Sequence, residues 1–199
     1  MRKAKKRKKY LYIKRVADVM FSAILLFLLA VPMVIIWIAV RADSDGCGIF
    51  KQLRVGKDGK EFVCYKFRTM YEDAPHDCPS SKLEDGQKYV THVGKFLRRS
   101  SLDELPQLFN VLAGDMSLVG PRPLIPQEIE VHSARRERGV YSIRPGITGL
   151  SQIMGRDNID DHTKIELDAQ YLLNIGFVED ARILAITVGN VLRAKDVAR

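Results

Sequence analysis

Two adjacent carboxylates, Asp103 and Glu104, follow a serine pair and precede an apolar run. Their position permits two interpretations. Ser101 and Glu104 have the spacing of a capping box, in which both side chains satisfy backbone N–H groups at the start of a helix. Asp103 would then favour the positive end of the same helix. Alternatively, the two carboxylates take part in catalysis, and the local sequence leaves both interpretations open.

A short loop further along the chain places an arginine between two prolines, in the order Gly120-Pro121-Arg122-Pro123. Because each proline fixes its own φ angle, the loop is predicted to be rigid. A guanidinium held in this way is suited to phosphate, whose oxygens it binds in pairs. Between the carboxylates and this loop we expect a helix from Leu102 to Ala113, with Gly114 as its C-terminal glycine.

Other basic residues occur in similar surroundings. Arg144 lies in a segment rich in glycine and proline, and Arg156 follows Gly155. The glycines would let a ligand approach the backbone. Lys66 and Arg68 stand together at the end of a predicted strand, where a solvated strand end is the simpler interpretation. Three loops that carry arginine, together with a carboxylate pair, suggest an anionic ligand such as a diphosphate.

The positive charge of the chain is concentrated at its N-terminus. The 199 residues are enough for one domain with a hydrophobic core, and the formal net charge is +8. Residues 1–15 contain nine of the 32 lysines and arginines and no acidic residue, so the remainder is nearly neutral. A basic tail next to an apolar segment favours contact with anionic lipid headgroups. Nucleic-acid binding is not indicated, because no basic stripe with interleaved aromatic residues follows.

The cysteines and histidines indicate no zinc site. Cys47, Cys64 and Cys78 have no CxxC spacing, and the four histidines are scattered. An odd number of cysteines without a disulfide framework is typical of a reducing cytosol.

The segment Val19–Val40 contains 22 uncharged residues, which as a straight helix of about 33 Å would be long enough to cross a bilayer. Pro32 lies inside this run and removes one helical hydrogen bond. Basic residues flank the run on both sides, which favours keeping both ends in the cytoplasm. The sequence therefore leaves two possibilities: a kinked helix that spans the membrane, or a helix that enters and returns on the same side.

The rest of the chain predicts a mainly helical α+β fold. Two β-prone runs on either side of an Asp-Gly turn predict a hairpin. A polar segment with prolines predicts a surface loop, and four later segments have helical character. The predicted elements are the strands Ile49–Val55 and Glu61–Phe67, the loop Glu72–Gly86, and the helices Val93–Arg99, Pro126–Arg138, Thr163–Ile175 and Asp180–Ala194, the last with Asp180 as its N-cap.

Four motifs resemble a known family, the bacterial sugar transferases, in particular the small monotopic phosphoglycosyl transferases that begin glycan assembly. The motifs are Tyr65–Met70, Ser101–Asn110, Gly114–Pro123 and Arg144–Gly149. The resemblance extends from about Lys14 to the C-terminus, and its two middle motifs are highly specific.

The resemblance implies a reaction in which a sugar 1-phosphate moves from a UDP-sugar to polyprenyl phosphate, with release of UMP. It assigns Asp103 as the nucleophile, Glu104 as its partner, and Mg²⁺ to both carboxylates. It also implies a set of residues in the substrate pocket. This set consists of Lys66, Arg68, Arg122, Arg144, Arg156 and Asp168.

The resemblance further favours the returning course of the apolar helix, with its kink at Pro32. It implies a basic cytosolic tail at 1–15, a re-entrant helix at 16–41, and a catalytic domain at 42–199 on the cytoplasmic face of a bacterial inner membrane. The family commonly has a Ser-Pro pair at the break, whereas this chain has Val31-Pro32. The alternative function is that of a non-catalytic membrane scaffold. The sequence identifies neither the sugar nor the oligomeric state.

Overall fold

The computed structural model describes residues 2–75, 86–155 and 159–193, with side chains from residue 7 onward. Within these ranges the chain is mainly helical, with two small pairs of strands. The helices are α1 (Arg2–Asp43), α2 (His92–Ser100), α3 (Gln107–Ala113), α4 (Ile129–Glu137), α5 (Leu150–Met154), α6 (Asp161–Asn174) and α7 (Phe177–Arg193). The strands are β1 (Ile49–Val55), β2 (Glu61–Phe67), β3 (Ser117–Val119) and β4 (Gly146–Thr148). The predicted α+β class is confirmed.

The predicted hairpin is confirmed at both of its strands. β1 and β2 pair antiparallel, with Gln52 opposite Cys64 at the centre of the register. The turn between them places Asp58 at φ 57° and Gly59 at φ 74°. An Asp-Gly pair is suited to this turn because both residue types tolerate positive φ.

A second pair of strands brings two distant loops together. β3 and β4 are parallel, with Ser117 opposite Gly146 and Val119 opposite Thr148. A side chain at Gly146 would overlap the backbone of Gly120, so the pairing depends on the absence of a Cβ atom there. The pairing holds the Gly-Pro-Arg-Pro loop against the segment that contains Arg144.

The main hydrophobic core lies beneath this strand pair. It is formed by side chains from β3, α5, α6, α7 and the segment before β4. Its buried members are Val119, Ile143, Leu150, Tyr171, Leu172 and Ile183. A smaller cluster of Val40, Phe67 and Leu97 joins the end of α1 to β2 and α2.

Helix α1 is long and largely uncovered. Its 42 residues correspond to about 63 Å of helix, and Pro32 lies inside it without ending it. Among the described residues it is the one helix long and apolar enough to cross a membrane, and only 6 % of its most apolar stretch is buried. Phe27 is 84 % exposed and Val31 is 70 % exposed. Since the helix continues through Pro32, the predicted re-entrant course stays a prediction.

The two ends of α1 nevertheless pack on the same domain. Near the first end, the buried carboxylate of Asp18 accepts hydrogen bonds from the Ser117 hydroxyl at 2.7 Å and from the Leu118 N–H at 3.2 Å. At the other end, Val40 is buried and an oxygen of Asp43 accepts the Val93 N–H at 2.9 Å. The apolar middle of the helix lies between these two attachments.

Several predicted boundaries need correction. α7 begins at Phe177, so Asp180 lies inside its first turn and is not the N-cap. The Asp180 carboxylate is instead buried, where it accepts hydrogen bonds from Tyr10, Lys14 and Tyr171 at 2.6 Å each. The helix predicted from Pro126 begins at Ile129. Residues 76–85 of the predicted loop lie outside the described residues.

The close packing of α2 against the chain that follows β2 can be tested at Gly94. A Cβ atom at Gly94 would overlap the backbone carbonyl of Thr69, whereas one at Gly189 in α7 would meet no atom within 4 Å. We expect Gly94→Ala to lower the free energy of unfolding by about 1–3 kcal/mol through this overlap. Gly189→Ala should raise it by about 0.5–1 kcal/mol, because alanine favours the helix. Urea unfolding followed by circular dichroism measures both, and equal effects from the two variants would contradict the packing described.

Candidate active site

The two adjacent carboxylates lie on a separate turn and not at the start of α3. A 3₁₀ turn covers Leu102–Glu104, and α3 begins only at Gln107. Ser101 has left-handed backbone angles, φ 56° and ψ 17°, and its side chain makes no capping hydrogen bond. A capping serine needs extended backbone angles, so the capping-box interpretation is wrong. The predicted end of the helix is confirmed, with Gly114 at φ 100°.

A buried amide fixes this turn beside the hairpin. The Asn110 side chain of α3 is fully buried; its Nδ2 donates to the Val63 carbonyl at 2.7 Å and its Oδ1 accepts the Tyr65 N–H at 3.1 Å. These two bonds join α3 to β2 on either side of Cys64. They therefore bring the Leu102–Glu104 turn next to the end of β2, where Lys66 stands.

Glu104 is surrounded by positive charge. The Lys66 ammonium lies 2.7 Å from its Oε1 atom, and the Arg122 guanidinium lies 3.6 Å from the same oxygen. Both pairs are partly shielded from water, so their attraction is stronger than that of a surface ion pair. The structure thus brings together three of the predicted residues from three separate parts of the sequence.

Asp103 stands next to this cluster and is half-buried. Burial raises the pKa of its carboxyl above the ordinary range, and the charge of Glu104 adds to this rise. Lys66 and Arg98 act in the opposite direction. A carboxylate attacks as a nucleophile in its ionised form, which these two cations favour and which burial disfavours.

The Gly-Pro-Arg-Pro loop is held through its backbone carbonyls. Arg135 of α4 donates to the Arg122 carbonyl at 2.8 Å, and Arg54 donates to the Pro123 carbonyl at 3.1 Å. Arg135 is itself paired with the fully buried Asp168, which also accepts a hydrogen bond from Ser151 at 3.1 Å. The buried ion pair therefore supports the loop from below.

A cleft opens beside Glu104. Its lining combines cations, amide side chains and the backbone of β4. The lining residues are Arg54, Cys64, Lys66, Glu104, Gln107, Arg122, Pro123, Gly146, Ile147 and Gln152. The Oε1 atom of Gln152 is buried and has no hydrogen-bond partner among the described residues.

Arg54, Gln107 and Gln152 line the cleft but were not among the residues predicted for the site. Arg54 could have been found from the hairpin, because Arg54 pairs with Phe62 and Lys66 pairs with Phe50. Alternate residues of paired strands share one face, so both cations point to the same side. Burial, followed by the charge of Arg122, lowers the pKa of Arg54 to about 10, which keeps its guanidinium charged at neutral pH.

Three residues predicted for the substrate pocket lie elsewhere. The buried Arg68 donates to the carbonyls of Ser44 and Asp45 and so fixes the chain after α1. Arg144 donates to the Gly114 carbonyl at 2.7 Å. Asp168 is enclosed with Arg135 under the loop.

None of these three lines the cleft beside Glu104. The prediction for Arg156 lies outside the described residues.

The site offers few metal ligands from the protein. The described ranges contain no group of three or more histidine, cysteine, aspartate or glutamate side chains that could hold a metal ion. Mg²⁺ is commonly held by only one or two carboxylates together with substrate phosphates. The donor set of Asp103 and Glu104 fits that mode of binding.

Comparison with known proteins agrees with this geometry. The sequence profile described as "Bacterial sugar transferase" matches residues 9–194. The chain belongs to the bacterial sugar transferase family. A relative from Bacillus subtilis named "Uncharacterized sugar transferase EpsL" is 40 % identical over 185 residues, which cover 93 % of this chain and 90 % of the relative.

Two longer relatives of this transferase chain carry more specific names. The "Undecaprenyl-phosphate galactose phosphotransferase" of Salmonella typhimurium is 38 % identical over 92 % of this chain and 41 % of its own length. The "UDP-glucose:undecaprenyl-phosphate glucose-1-phosphate transferase" of Caulobacter vibrioides is 39 % identical over 90 % of this chain and 69 % of its own length. The chain thus spans about two fifths of the Salmonella protein.

The buried ion pair beneath the loop gives a testable expectation for Asp168. Asp168→Leu leaves the Arg135 charge buried without its partner, and we expect the free energy of unfolding to fall by about 3–5 kcal/mol. The double variant Asp168→Leu with Arg135→Met should recover most of this loss, because an apolar pair can replace a buried ion pair. Urea unfolding of the wild type, the two single variants Asp168→Leu and Arg135→Met, and the double variant measures the coupling. An unchanged stability in the Asp168→Leu variant, with loss of nucleotide-sugar binding alone, would instead place Asp168 in the substrate pocket.

Proposed function

We propose that this chain transfers a sugar 1-phosphate from a UDP-sugar to a polyprenyl phosphate through a covalent intermediate on Asp103. One observation carries the proposal: Glu104, the neighbour of Asp103 in the sequence, contacts Lys66 and Arg122 in a cleft that Arg54 also lines, and the charges of Lys66 and Arg122 act on Asp103 as well. The cations exceed the carboxylates in charge, as expected for a site that receives a diphosphate. The printed names of the relatives support the same class of reaction.

The reaction takes place in two displacements. A carboxylate oxygen of Asp103 attacks the phosphorus that carries the sugar, and the bond from this phosphorus to the UMP oxygen breaks. UMP leaves with the electron pair of that bond. A phosphate oxygen of the polyprenyl phosphate then attacks the same phosphorus, and the Asp103 carboxylate is released. The product is a polyprenyl diphosphate sugar.

The surrounding residues stabilise charge during both displacements. Arg122 and Lys66 lie within reach of the phosphate oxygens on which negative charge accumulates. Arg135 fixes the Arg122 backbone, so the base of this side chain is held at the cleft. Asp103 and Glu104 would hold Mg²⁺, which when bound neutralises part of the diphosphate charge.

We further propose that α1 enters the inner leaflet of a cytoplasmic membrane and returns to the same side. Its support is the packing of both ends on one domain, Asp18 on β3 and Val40 on β2 and α2. These residues are 22 positions apart, which corresponds to about 33 Å of straight helix. A helix that spans the membrane would place them at opposite surfaces of the bilayer. Basic residues at both flanks agree with a cytoplasmic position for both ends.

The far end of the chain adds a second apolar surface. Helix α7 exposes Phe177, Val178 and Leu192, and Val178 is 80 % exposed. A helix with such a face is suited to lie at the membrane surface. This placement would bring the cleft to the level at which a lipid phosphate meets a cytosolic nucleotide sugar.

The cleft does not fit the alternative function of a non-catalytic membrane scaffold. A protein that only recruits partners has no use for a carboxylate pair within a cluster of cations. The cations of the cleft and its Glu104 carboxylate therefore favour the enzyme.

Intact-protein mass spectrometry tests the covalent step. The wild-type chain, incubated with Mg²⁺ and a panel of UDP-sugars but no lipid, should gain the mass of one sugar phosphate. Asp103→Asn should give no adduct and lower transfer by about 10³-fold or more, because the nucleophile is lost. Asp58→Asn, an exposed aspartate in the hairpin turn where asparagine tolerates positive φ, is the matched control.

Polyprenyl phosphate should then discharge the adduct into a lipid-linked product. Discharge to free sugar phosphate without a lipid would indicate a hydrolase. No adduct with any donor, and no UMP release after lipid is added, would favour the scaffold.

Cysteine labelling tests the course of α1. Cys47 is exposed just after the helix and Tyr12 is exposed near its start, whereas Cys64 is buried. We compare two proteins. The first carries Cys78→Ser and reports on Cys47, and the second carries Tyr12→Cys with Cys47→Ser and Cys78→Ser and reports on position 12. A membrane-impermeant maleimide should label both in everted vesicles and neither in intact cells. Labelling of one position only from outside intact cells would establish a spanning helix.

A further inference from the structure

A second cavity lies between α1, β3 and the turn before β4. Its volume is about 80 Å³, and since one water needs roughly 10–15 Å³, it has room for the five heavy atoms of a phosphate group. It shares no lining residue with the cleft beside Glu104. The side chains that matter for its chemistry are Lys14, Arg15, Asp18, Lys57, Ser117 and Arg144.

Two guanidinium groups meet at this cavity without a carboxylate of their own. Arg15 donates to the carbonyls of Val111 at 2.6 Å and Leu112 at 3.1 Å, and Arg144 donates to the carbonyl of Gly114 at 2.7 Å. Among the described residues, no carboxylate oxygen lies within 4 Å of either arginine. Each guanidinium has five N–H donors, so both retain donors for a ligand.

The charge of Arg144 acts on the Arg15 guanidinium. Burial, and then the charge of Arg144, lowers the pKa of Arg15, while Asp18 and Asp115 act in the opposite direction. Two like charges whose hydrogen bonds go to carbonyl groups are a favourable site for an anion, which would relieve the repulsion.

The other charged groups of the cavity do not cancel the positive charge of Arg15 and Arg144. Lys14 is neutralised, because its ammonium lies 2.6 Å from Asp180 and 3.9 Å from Asp18. Lys57 stands at the mouth with its side chain 44 % exposed, and its contact with Asp58 is long, at 3.8 Å. Such an exposed pair contributes little, so Lys57 remains available to a ligand.

The position of the cavity suggests where the anion comes from. Leu11, Val119, Ile143 and Ile175 supply apolar lining next to the cations. The cavity lies just before Val19, where the apolar run of α1 begins. In a membrane-bound chain this is the depth of the phospholipid headgroups.

We propose that this cavity binds a phosphate group through Arg15, Arg144 and Lys57, as a site separate from the carboxylate pair. The phosphate of an anionic phospholipid and free inorganic phosphate share this chemistry. Occupation by a lipid would hold α1 against β3 at the membrane surface. The inference does not rest on the proposed transfer reaction.

A thermal-shift titration of the full chain in neutral detergent tests the site. One arm uses phosphatidic acid, a second uses inorganic phosphate, and phosphatidylcholine serves as the zwitterionic reference. Arg15 and Arg144 also bind carbonyls at the end of α3, so their variants could fail to fold; Lys57→Gln avoids this problem. Two control variants remove a lysine elsewhere: Lys60→Gln in the same hairpin turn, and Lys66→Gln in the cleft.

We expect phosphatidic acid to raise the melting temperature of the wild type. Lys57→Gln should weaken its apparent affinity about 10-fold, the effect of losing one hydrogen bond to a charged group. Lys60→Gln should change it by less than about twofold. An equal response to inorganic phosphate would identify a free anion as the ligand, and a response to phosphatidic acid alone would identify a lipid; both outcomes support the site.

Three results would overturn the proposal. They are no thermal response to either probe, an equal loss from Lys57→Gln and Lys60→Gln, and a loss confined to Lys66→Gln. The second would indicate attraction to general surface charge. The third would place the phosphate in the cleft beside Glu104. Each differs from a failure of the transfer reaction, which is measured on Asp103.

Discussion

The buried amide of Asn110 is the constraint on which the candidate active site depends. Its two hydrogen bonds to Val63 and Tyr65 join α3 to β2 and satisfy the amide within the core. The turn that carries the carboxylates precedes α3, and Lys66 ends β2, so one amide sets the distance between Glu104 and its cation. Loss of these bonds would leave polar atoms unsatisfied in the interior as well as separate the charges.

The charge balance of the cleft follows from this contact between α3 and β2. Burial raises the pKa of the Asp103 carboxyl, and the cations that act in the opposite direction come from β2, α2 and the Gly-Pro-Arg-Pro loop. Such a site holds more positive than negative charge before a substrate binds. It is therefore suited to receive an anion and to stabilise the further charge that develops during phosphoryl transfer.

Local features of the structure were predictable from the sequence. The hairpin, helix α2 and the C-terminal Gly114 follow from turn residues and short-range periodicity. The pairing of β3 with β4 was missed, because each strand has three residues and the contact joins segments about 30 positions apart. The binding partners of individual arginines could not be predicted from the sequence either. A guanidinium near glycines is equally suited to a phosphate and to backbone carbonyls, and Arg68 and Arg144 bind carbonyls.

The central claim is that Asp103 accepts the sugar phosphate before the lipid takes part, and isotope exchange tests it most directly. The wild-type chain is incubated with Mg²⁺, labelled UMP and the UDP-sugar that supports lipid-linked product, without any polyprenyl phosphate. A covalent intermediate predicts that label enters the UDP-sugar, because the first displacement is reversible. Labelled UDP-sugar that appears only after polyprenyl phosphate is added would show that both substrates must bind together, and would contradict the account.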